Sequence, residues 1–431
     1  LCLVYRGIAD VADDGQFDNQ LAFISALSGF AAVSLESRQL LMMQKALLDA
    51  FIKLIAGAID SKSPYTGGHC QRVPELTKLL ARAACESTAE PFRDFTLDDQ
   101  QWEALDIASW LHDCGKVTTP EYVVDKATKL ETLYDRIHEI RMRFEVLKRD
   151  AELRYWKRRA AGEDAAGLDA AMQDELKRLD DDFAFVAECN LGGEFMAPEK
   201  VERLHRIADY DWVRTLDDRL GVSWEERQRM ERDATSPLPV TEKLLDNKVE
   251  HLIERQAVDR LATDNPWGFR MDTPQYKYNR GELYNLEVGR GTLTEEERYK
   301  INDHIMQTII MLEKLPYPKH LRDVPLIAGC HHETMDGKGY PKRLSRDEMP
   351  LTARMMAIAD IFEALTASDR PYKKAKRLSE AIRIMGFMKK DRHIDPDLFE
   401  LFLRSGIYQE YGRRFLQADQ LDEVNVSEYL D

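Results

Sequence analysis

Apolar residues recur at helical spacing along most of the 431 residues. Between 18 and 59 they fall at Ile24, Leu27, Ala31, Leu41, Leu48, Ile52, Ile55 and Ile59, mostly three, four or seven apart, which predicts one long helix. A helix of that length cannot bury its own face, so it pairs with a copy of itself or lies along the next domain. Thr66 can cap a second helix, with His69 and Arg72 above Val73 and Leu76, while Pro74 should kink it or delay its regular start. A third helix is expected over 97–114, opened by Thr96 with Asp99 and stopped by Gly115; Leu105, Ala108, Leu111 and His112 point inward. Charged helical patterns follow over 132–157 and 165–188, then a Tyr/Asn/Gly-rich loop at 274–291. Thr294 with Glu297 opens a helix whose inner face holds Ile301, His304, Thr308 and Met311. Residues 324–330 continue helically into His331-His332, with Pro325 at a first position. The run 353–367 is apolar except for Asp360, and 380–431 is helical with a polar tail. The fold class is therefore all-α.

Bulk properties narrow this picture. A hydrophobic content of 44% is that of a globular protein, with enough material for two or three domains or one domain carrying an insertion. The net charge of -16 argues against a nucleic-acid polymer or an anionic membrane as partner, so an anionic substrate needs a local cationic site. The six cysteines form no CxxC pair, which fits a reducing, cytoplasmic setting. The uncharged run 21–35 is too short and polar to span a membrane, and no signal peptide is recognisable. The opening Leu, in place of Met, reads as a piece of something longer.

Chemistry concentrates in a few places. His331-His332 ends an apolar segment and leads into Glu333, Asp336 and the turn Gly339-Tyr340-Pro341; alone, the pair reads equally well as two ligands or as one packed and one solvated histidine. His69 alone reads as structural. His112-Asp113 at a core-facing helix end is costly unless a cation or hydrogen bonds satisfy it, and reads as a metal pair. Asp360 on its apolar helix needs a partner too, for which a metal leads. His138, His205 and His251 read as solvated residues on charged helices, His320 as a surface residue and His393 as a turn residue. Arg370-Pro371-Tyr372-Lys373 is either a solvated charge cluster or a phosphate clamp. Together His69, His112, Asp113, His304, His331, His332 and Asp360 offer N and O donors suited to first-row metals such as Fe, Mn, Co, Ni or Zn, and seven donors exceed what one tetrahedral ion needs.

The stretches 111–116 (Leu-His-Asp-Cys-Gly-Lys) and His331-His332-Glu333 through Gly339-Tyr340-Pro341 resemble the two defining motifs of the HD-GYP family of cyclic dinucleotide phosphodiesterases. Supporting blocks lie at 65–73, 293–304, 357–360 and 370–373, so the resemblance covers about 50–130 and 290–400. It implies an HD-superfamily helical bundle over 60–130 and 287–415, split by a helical insertion over 131–286. A remnant of a GAF-like sensor domain (1–17) and a signalling helix (18–59) precede it, and a tail (416–431) follows. It further implies a pair of divalent ions, Fe or Mn first, on the seven donors, with Asp113 bridging. Lys116 would serve the scissile phosphate and leaving oxygen, Arg370 and Lys373 would grip phosphates, and Gly339 and Tyr340 would line the substrate pocket. Glu333 and Asp336 would orient the histidines and the loop. Some members hold a third metal on a glutamate one turn before the first histidine; Tyr65 stands there, so two metals are expected. The implied reaction is attack of a metal-bridged hydroxide on cyclic di-GMP, giving a linear dinucleotide and then GMP. Alternatives are a non-catalytic receptor or relay, or an HD-type hydrolase of another nucleotide such as cyclic GMP-AMP. Implied partners are a second copy through the N-terminal helix and a GGDEF-type cyclase or other signalling protein at the Gly-Tyr-Pro loop.

Overall fold

Helix α1 (Asp14–Asp60) runs for 47 residues, and only its end is covered. Ile52, Ala56 and Ile59 are buried, whereas Leu27, Phe30, Leu41 and Leu48 remain exposed. The computed structural model describes residues 14–62, 68–368 and 375–430. The covered end of α1 meets α2 (His69–Glu86) and α3 (Asp99–Leu111), helped by an ion pair between Lys45 and Glu103 at 3.1 Å. Asp60 joins α1 to α2: its carboxylate accepts from the N–H groups of Gly68 (3.2 Å) and Cys70 (3.4 Å), two donors at a helix start.

The chain continues through a 3-10 turn (Cys114–Thr118), α4 (Glu121–Val124), α5 (Ile137–Ala160), α6 (Ala165–Asn190) and α7 (Pro198–Ala208). Next come β1 (Asp211–Arg214), α8 (Trp224–Met230), β2 (Val240–Lys243), β3 (Leu252–Glu254), β4 (Tyr276–Asn279) and α9 (Glu282–Leu286). The remainder is α10 (Glu295–Glu313), α11 (Val324–Gly329), α12 (Leu351–Thr366), α13 (Leu378–Lys390), α14 (Pro396–Arg404) and α15 (Ile407–Phe415). The all-α expectation holds, with two short antiparallel hairpins added: Trp212 lies opposite Glu242, and Ile253 opposite Tyr278.

One hydrophobic core draws on both ends of the chain. Val73, Leu76 and Leu80 of α2 and Leu105 and Ala108 of α3 pack with Met355, Met356, Ile358 and Phe362 of α12 and Phe399 and Phe402 of α14. Helix α12 is apolar around most of its circumference because it lies at the centre, which is where a charge is most expensive. A second core is built from the 131–286 segment with Leu130 at its entrance: Ile140 and Phe144 of α5, Val186 of α6, and Leu204 and Ile207 of α7. The two ends of this segment return to one place. Lys129 N–H and Leu130 N–H donate to the Asn190 backbone and side-chain oxygens, both at 2.8 Å, and Lys129 Nζ donates to Leu286 O at 2.7 Å. Lys126 Nζ, fully buried, meets Glu297 of α10 at 2.8 Å.

Several local expectations change. The α3 cap is Asp98 with Gln101, not Thr96 with Asp99; Asp98 accepts the Gln101 N–H at 2.8 Å. Helix α2 starts at His69 behind Gly68 at φ 88°, and Thr66 lies outside the described residues. Pro74 sits inside α2 as its sixth residue, where it forgoes the bond an N–H there would make to the Cys70 carbonyl. His331 and His332 follow the end of α11 in a turn, so they are not successive helical residues. The loop expected at 274–291 contains β4 and α9. Met311 is 37% exposed, leaving His304, Ile305, Thr308, Ile309 and Leu312 as the buried face of α10. His138 and His205 are exposed, as expected, but His251 is half-buried in a 3-10 turn and its pKa is lowered to about 4 by burial.

Candidate metal centre

Three histidines are held by the same device. His112, His304 and His331 each place Nδ1 against a backbone carbonyl three residues earlier: Ser109 O at 2.8 Å, Ile301 O at 2.6 Å and Ala328 O at 2.8 Å. A carbonyl only accepts, so Nδ1 carries the proton and the Nε2 lone pair faces inward. His69 reaches the same state through a carboxylate, with Nδ1 2.5 Å from Glu363 Oε2. Glu363 is fully buried, and Arg72 donates to its other oxygen through Nε at 2.8 Å.

The free Nε2 atoms converge on Asp113. Its Oδ2 lies 3.1 Å from His69 Nε2 and 3.2 Å from His112 Nε2; its Oδ1 lies 3.2 Å from His304 Nε2 and 4.0 Å from His331 Nε2. Asp360 Oδ1 lies 3.3 Å from His69 Nε2 and 3.8 Å from that of His112. As neutral imidazoles these histidines face carboxylate oxygens acceptor against acceptor, a conflict that a cation or an added proton relieves. His112 Nε2, His304 Nε2, His331 Nε2 and Asp113 Oδ1 are buried with no hydrogen-bond partner among the described residues. Unpaired buried acceptors cost roughly 1–3 kcal/mol each, so four in one place call for cations between them.

The protonation equilibria reflect the same excess of negative charge. Burial opposes charge on His69, but the Glu363 charge and the hydrogen bonds to Asp113 and Asp360 outweigh it and hold its pKa well above the ordinary value. For His112 burial again opposes, and Asp113 carries the pKa up to about 9. His331 is pushed down to about 4, and His332 well below its usual value, by burial and neighbouring imidazoles. Glu363 is brought down to about 2: burial raises it, but His69 and Arg72 prevail.

Three overlapping groups, each with donor atoms within 4.8 Å of one another, can hold an ion: His304, His331 and His332; His69, His112 and Asp360; and His112, Asp113 and His331. Together they contain all seven donors named from the sequence. An all-imidazole and carboxylate set fits a divalent first-row ion.

Packing fixes the positions of these groups. Gly115 N–H donates to Thr308 Oγ1 at 2.9 Å, and a Cβ on Gly115 would lie 1.9 Å from His304 O, so only glycine lets α10 approach the Asp113 turn. Lys116 Nζ sits 2.5 Å from Asp113 Oδ2 with its side chain 26% exposed, on the side open to solvent. Burial opposes its charge, but Asp113 and Asp360 raise its pKa above the ordinary lysine value. Lys62, just past α1, donates to the carbonyls of Lys116 (3.1 Å), Val117 (2.7 Å) and Thr119 (2.5 Å) and fixes the same turn.

The Tyr340 ring stacks on His332, with centroids 4.9 Å apart and planes at 21°. Gly339 packs against the Glu333 backbone, where a Cβ would meet Glu333 Cα at 2.4 Å. Glu333 accepts from the N–H groups of Lys342 (2.7 Å) and Leu344 (3.0 Å), and Asp336 accepts from Thr334 Oγ1 (2.7 Å). Both carboxylates therefore shape the loop through these bonds. Arg370, Lys373 and Tyr65 lie outside the described residues. Glu363 is absent from the sequence-based set; it stands one turn after Asp360 on the same apolar helix but near its end, where a lone acid also passes for a solvated residue.

Residues 239–398 match the HD domain family model, a span that contains His304, His331, His332 and Asp360, whereas His69, His112 and Asp113 precede it. A cyclic di-GMP phosphodiesterase of Pseudomonas aeruginosa is 47% identical over 95 residues, 22% of each chain. A 3′3′-cGAMP-specific phosphodiesterase of Vibrio cholerae is 38% identical over 111 residues, 25% of this chain and 23% of the relative. A cyclic di-GMP phosphodiesterase response regulator of Xanthomonas campestris is 27% identical over 199 residues, 44% and 52% of the two chains. The chain thus spans about a fifth to a half of the length of these curated relatives.

Proposed function

We infer that this HD-domain chain is a metal-dependent phosphodiesterase of the HD-GYP kind acting on a cyclic dinucleotide, with cyclic di-GMP as the first candidate. The observation that carries the reading is the convergence of unpartnered buried acceptors from His112, Asp113, His304 and His331, which suits a metal cluster and no other common ligand. The relatives, cyclic di-GMP phosphodiesterases among them, supply the substrate class. Cyclic GMP-AMP is the second reading, because the Vibrio cholerae relative is specific for it.

The proposed ligands are His69, His112, Asp113, His304, His331, His332 and Asp360, for two ions with Fe or Mn preferred. When bound, such ions supply Lewis acidity toward a water molecule and a phosphoryl oxygen. The protein's own groups do the rest. Glu363 and the three backbone carbonyls fix the imidazole tautomers before any ligand arrives. Lys116, kept protonated by Asp113 and Asp360, holds a proton where a leaving 3′ oxygen can take it. Tyr340, stacked on His332, forms one wall of the substrate mouth. Arg370 and Lys373 are proposed as the phosphate grip. In this reading 131–286 is an insertion in a catalytic domain of 60–130 and 287–415. The exposed apolar residues of α1 would pair with a second copy, and the Gly-Tyr-Pro loop would meet a GGDEF-type cyclase or another signalling protein. No helix among the described residues is long and apolar enough to cross a membrane.

The test is turnover of cyclic di-GMP, cyclic GMP-AMP and bis(p-nitrophenyl) phosphate by the full chain reconstituted with Fe(II) or Mn(II). Asp113→Ala and His331→Ala should lose metal and turnover while keeping the helical circular dichroism signal. Full turnover by rigorously metal-free protein would refute the reading.

A further inference from the structure

Between the 131–286 segment and α10 lies a cavity of about 440 Å³, within the range of roughly 300–1,000 Å³ common for small-molecule sites. Its walls combine two chemistries. Trp267 and Phe269 stack on each other, with centroids 5.8 Å apart and planes at 12°, and Arg255 lies over the Tyr299 ring at 4.5 Å. Arg255, Arg260, Lys277 and Lys300 contribute four positive charges, against two negative ones from Asp259 and Asp303. That local excess stands in a chain of net charge -16. Lys277 is already paired with Asp259 at 3.0 Å, and Lys300 with Asp303 at 2.8 Å. Arg260 is exposed and makes no ion pair with another described residue, so its guanidinium is free for a ligand.

None of the seven donors lines the cavity, but two of its walls belong to elements that carry the metal centre. Asp303 in its wall precedes His304 in α10, and Thr118 closes the turn that carries Lys116. Between its imidazoles the centre has no gap for a base: the ring centroid of His331 stands 4.1 Å from that of His332 and 4.9 Å from that of His112. A substrate held there by its phosphate has to place its bases outside.

We propose that the 131–286 segment supplies a nucleotide subsite in this cavity, in which the aromatic walls take a purine base and Arg260 an anionic phosphate. Aromatic faces stack on any base, and a guanidinium grips phosphate through paired N–H donors. This inference rests on the phosphodiesterase reading for its choice of ligand, but the cavity's own residues decide it.

The experiment uses the metal-reconstituted full chain with two variants, Arg260→Glu and Trp267→Leu. The first readout is the ratio of kcat/KM for cyclic di-GMP to that for bis(p-nitrophenyl) phosphate, a diester with no purine. The subsite predicts a fall of about tenfold in that ratio for each variant, arising in KM. The second readout is GMP affinity by equilibrium dialysis, expected to weaken about tenfold in Arg260→Glu, as when a charge contact is reversed. If the wild type hydrolyses both diesters and neither readout moves in either variant, the subsite is refuted while the phosphodiesterase reading stands. If the wild type hydrolyses neither diester, that reading fails and GMP affinity alone decides: weakened binding in Arg260→Glu upholds a nucleotide site, and equal binding overturns it. Trp267→Leu can disturb packing; if that variant unfolds, Arg260→Glu, an exposed change, decides the outcome by itself.

Discussion

Replacing Gly115 by alanine adds a single methyl group where α10 crosses the Asp113 turn. The new carbon would lie 1.9 Å from His304 O and 2.6 Å from Thr308 N, both backbone atoms that no rotamer change can move. Restoring an ordinary contact of 3.4 Å requires the turn and α10 to separate by roughly 1.5 Å. His304 Nε2 and Asp113 Oδ1, now 3.2 Å apart, would separate with them. Metal–ligand distances tolerate only about ±0.2 Å, so one donor is lost from any ion shared by the pair. Overpacking of this kind costs about 1–3 kcal/mol of stability. Misplacing reacting groups by about 1 Å costs on the order of 100-fold in rate. The assay is metal content by elemental analysis beside kcat on cyclic di-GMP, with circular dichroism to confirm helix content. Gly115→Ala protein with full metal occupancy, wild-type kcat and unchanged thermal stability would show that the close approach is not what sets the ligand geometry.

Other outcomes follow from neighbouring groups. Glu363→Ala should weaken metal binding by about 10–100-fold, since Glu363 alone fixes the His69 tautomer; competition with a chelator measures it. Lys126→Met leaves Glu297 buried without its cation and should destabilise the chain by about 3–5 kcal/mol in urea unfolding. Adding a divalent ion at 100 times its Kd should stabilise the wild type by about 2.7 kcal/mol and Asp113→Ala hardly at all, as read by thermal melts. His251 has a folded pKa of about 4 against an ordinary 6.5, so between these values the unfolded chain binds the extra proton. Its contribution is therefore complete above pH 6.5 and is lost as pH falls toward 4; comparing the stability profile of His251→Gln with the wild type isolates it.

Three of the proposed ligands are legible in the sequence because each breaks a pattern. His112, His304 and Asp360 are polar residues on faces otherwise made of Leu, Ala, Ile and Met, and burial without a partner is costly enough to mark a ligand. Glu363 breaks the same pattern on α12 but stands near the helix end, one turn beyond Asp360, where a lone acid also passes for a solvated residue. Gly68 displaces Thr66 as the start of α2 because a positive φ serves a tight turn into His69, while Asp60, eight residues earlier, satisfies the helix N–H groups. Capping by a distant residue leaves no local signature. The hairpins at β1–β2 and β3–β4 are three or four residues per strand, too short for alternation to stand out among charged neighbours. The burial of His251 is invisible for a related reason: its cover comes from elements far along the chain.

The two-part construction of the metal centre sets an order of events during synthesis. Asp113 leaves the ribosome 191 residues before His304. At about 5–20 residues per second, that interval lasts roughly 10–40 s. During it His69, His112 and Asp113 exist without His304, His331, His332 or Asp360, and α2 and α3 lack α12, the helix against which they pack. The 131–286 segment emerges in the meantime with a hydrophobic core of its own. Once Asn190 and Leu286 have been made, their bonds to Lys129 and Leu130 draw the exit of the segment back to its entrance, so that α10 starts beside the waiting half-site. The segment thereby turns a search across nearly two hundred residues into the closure of a short loop.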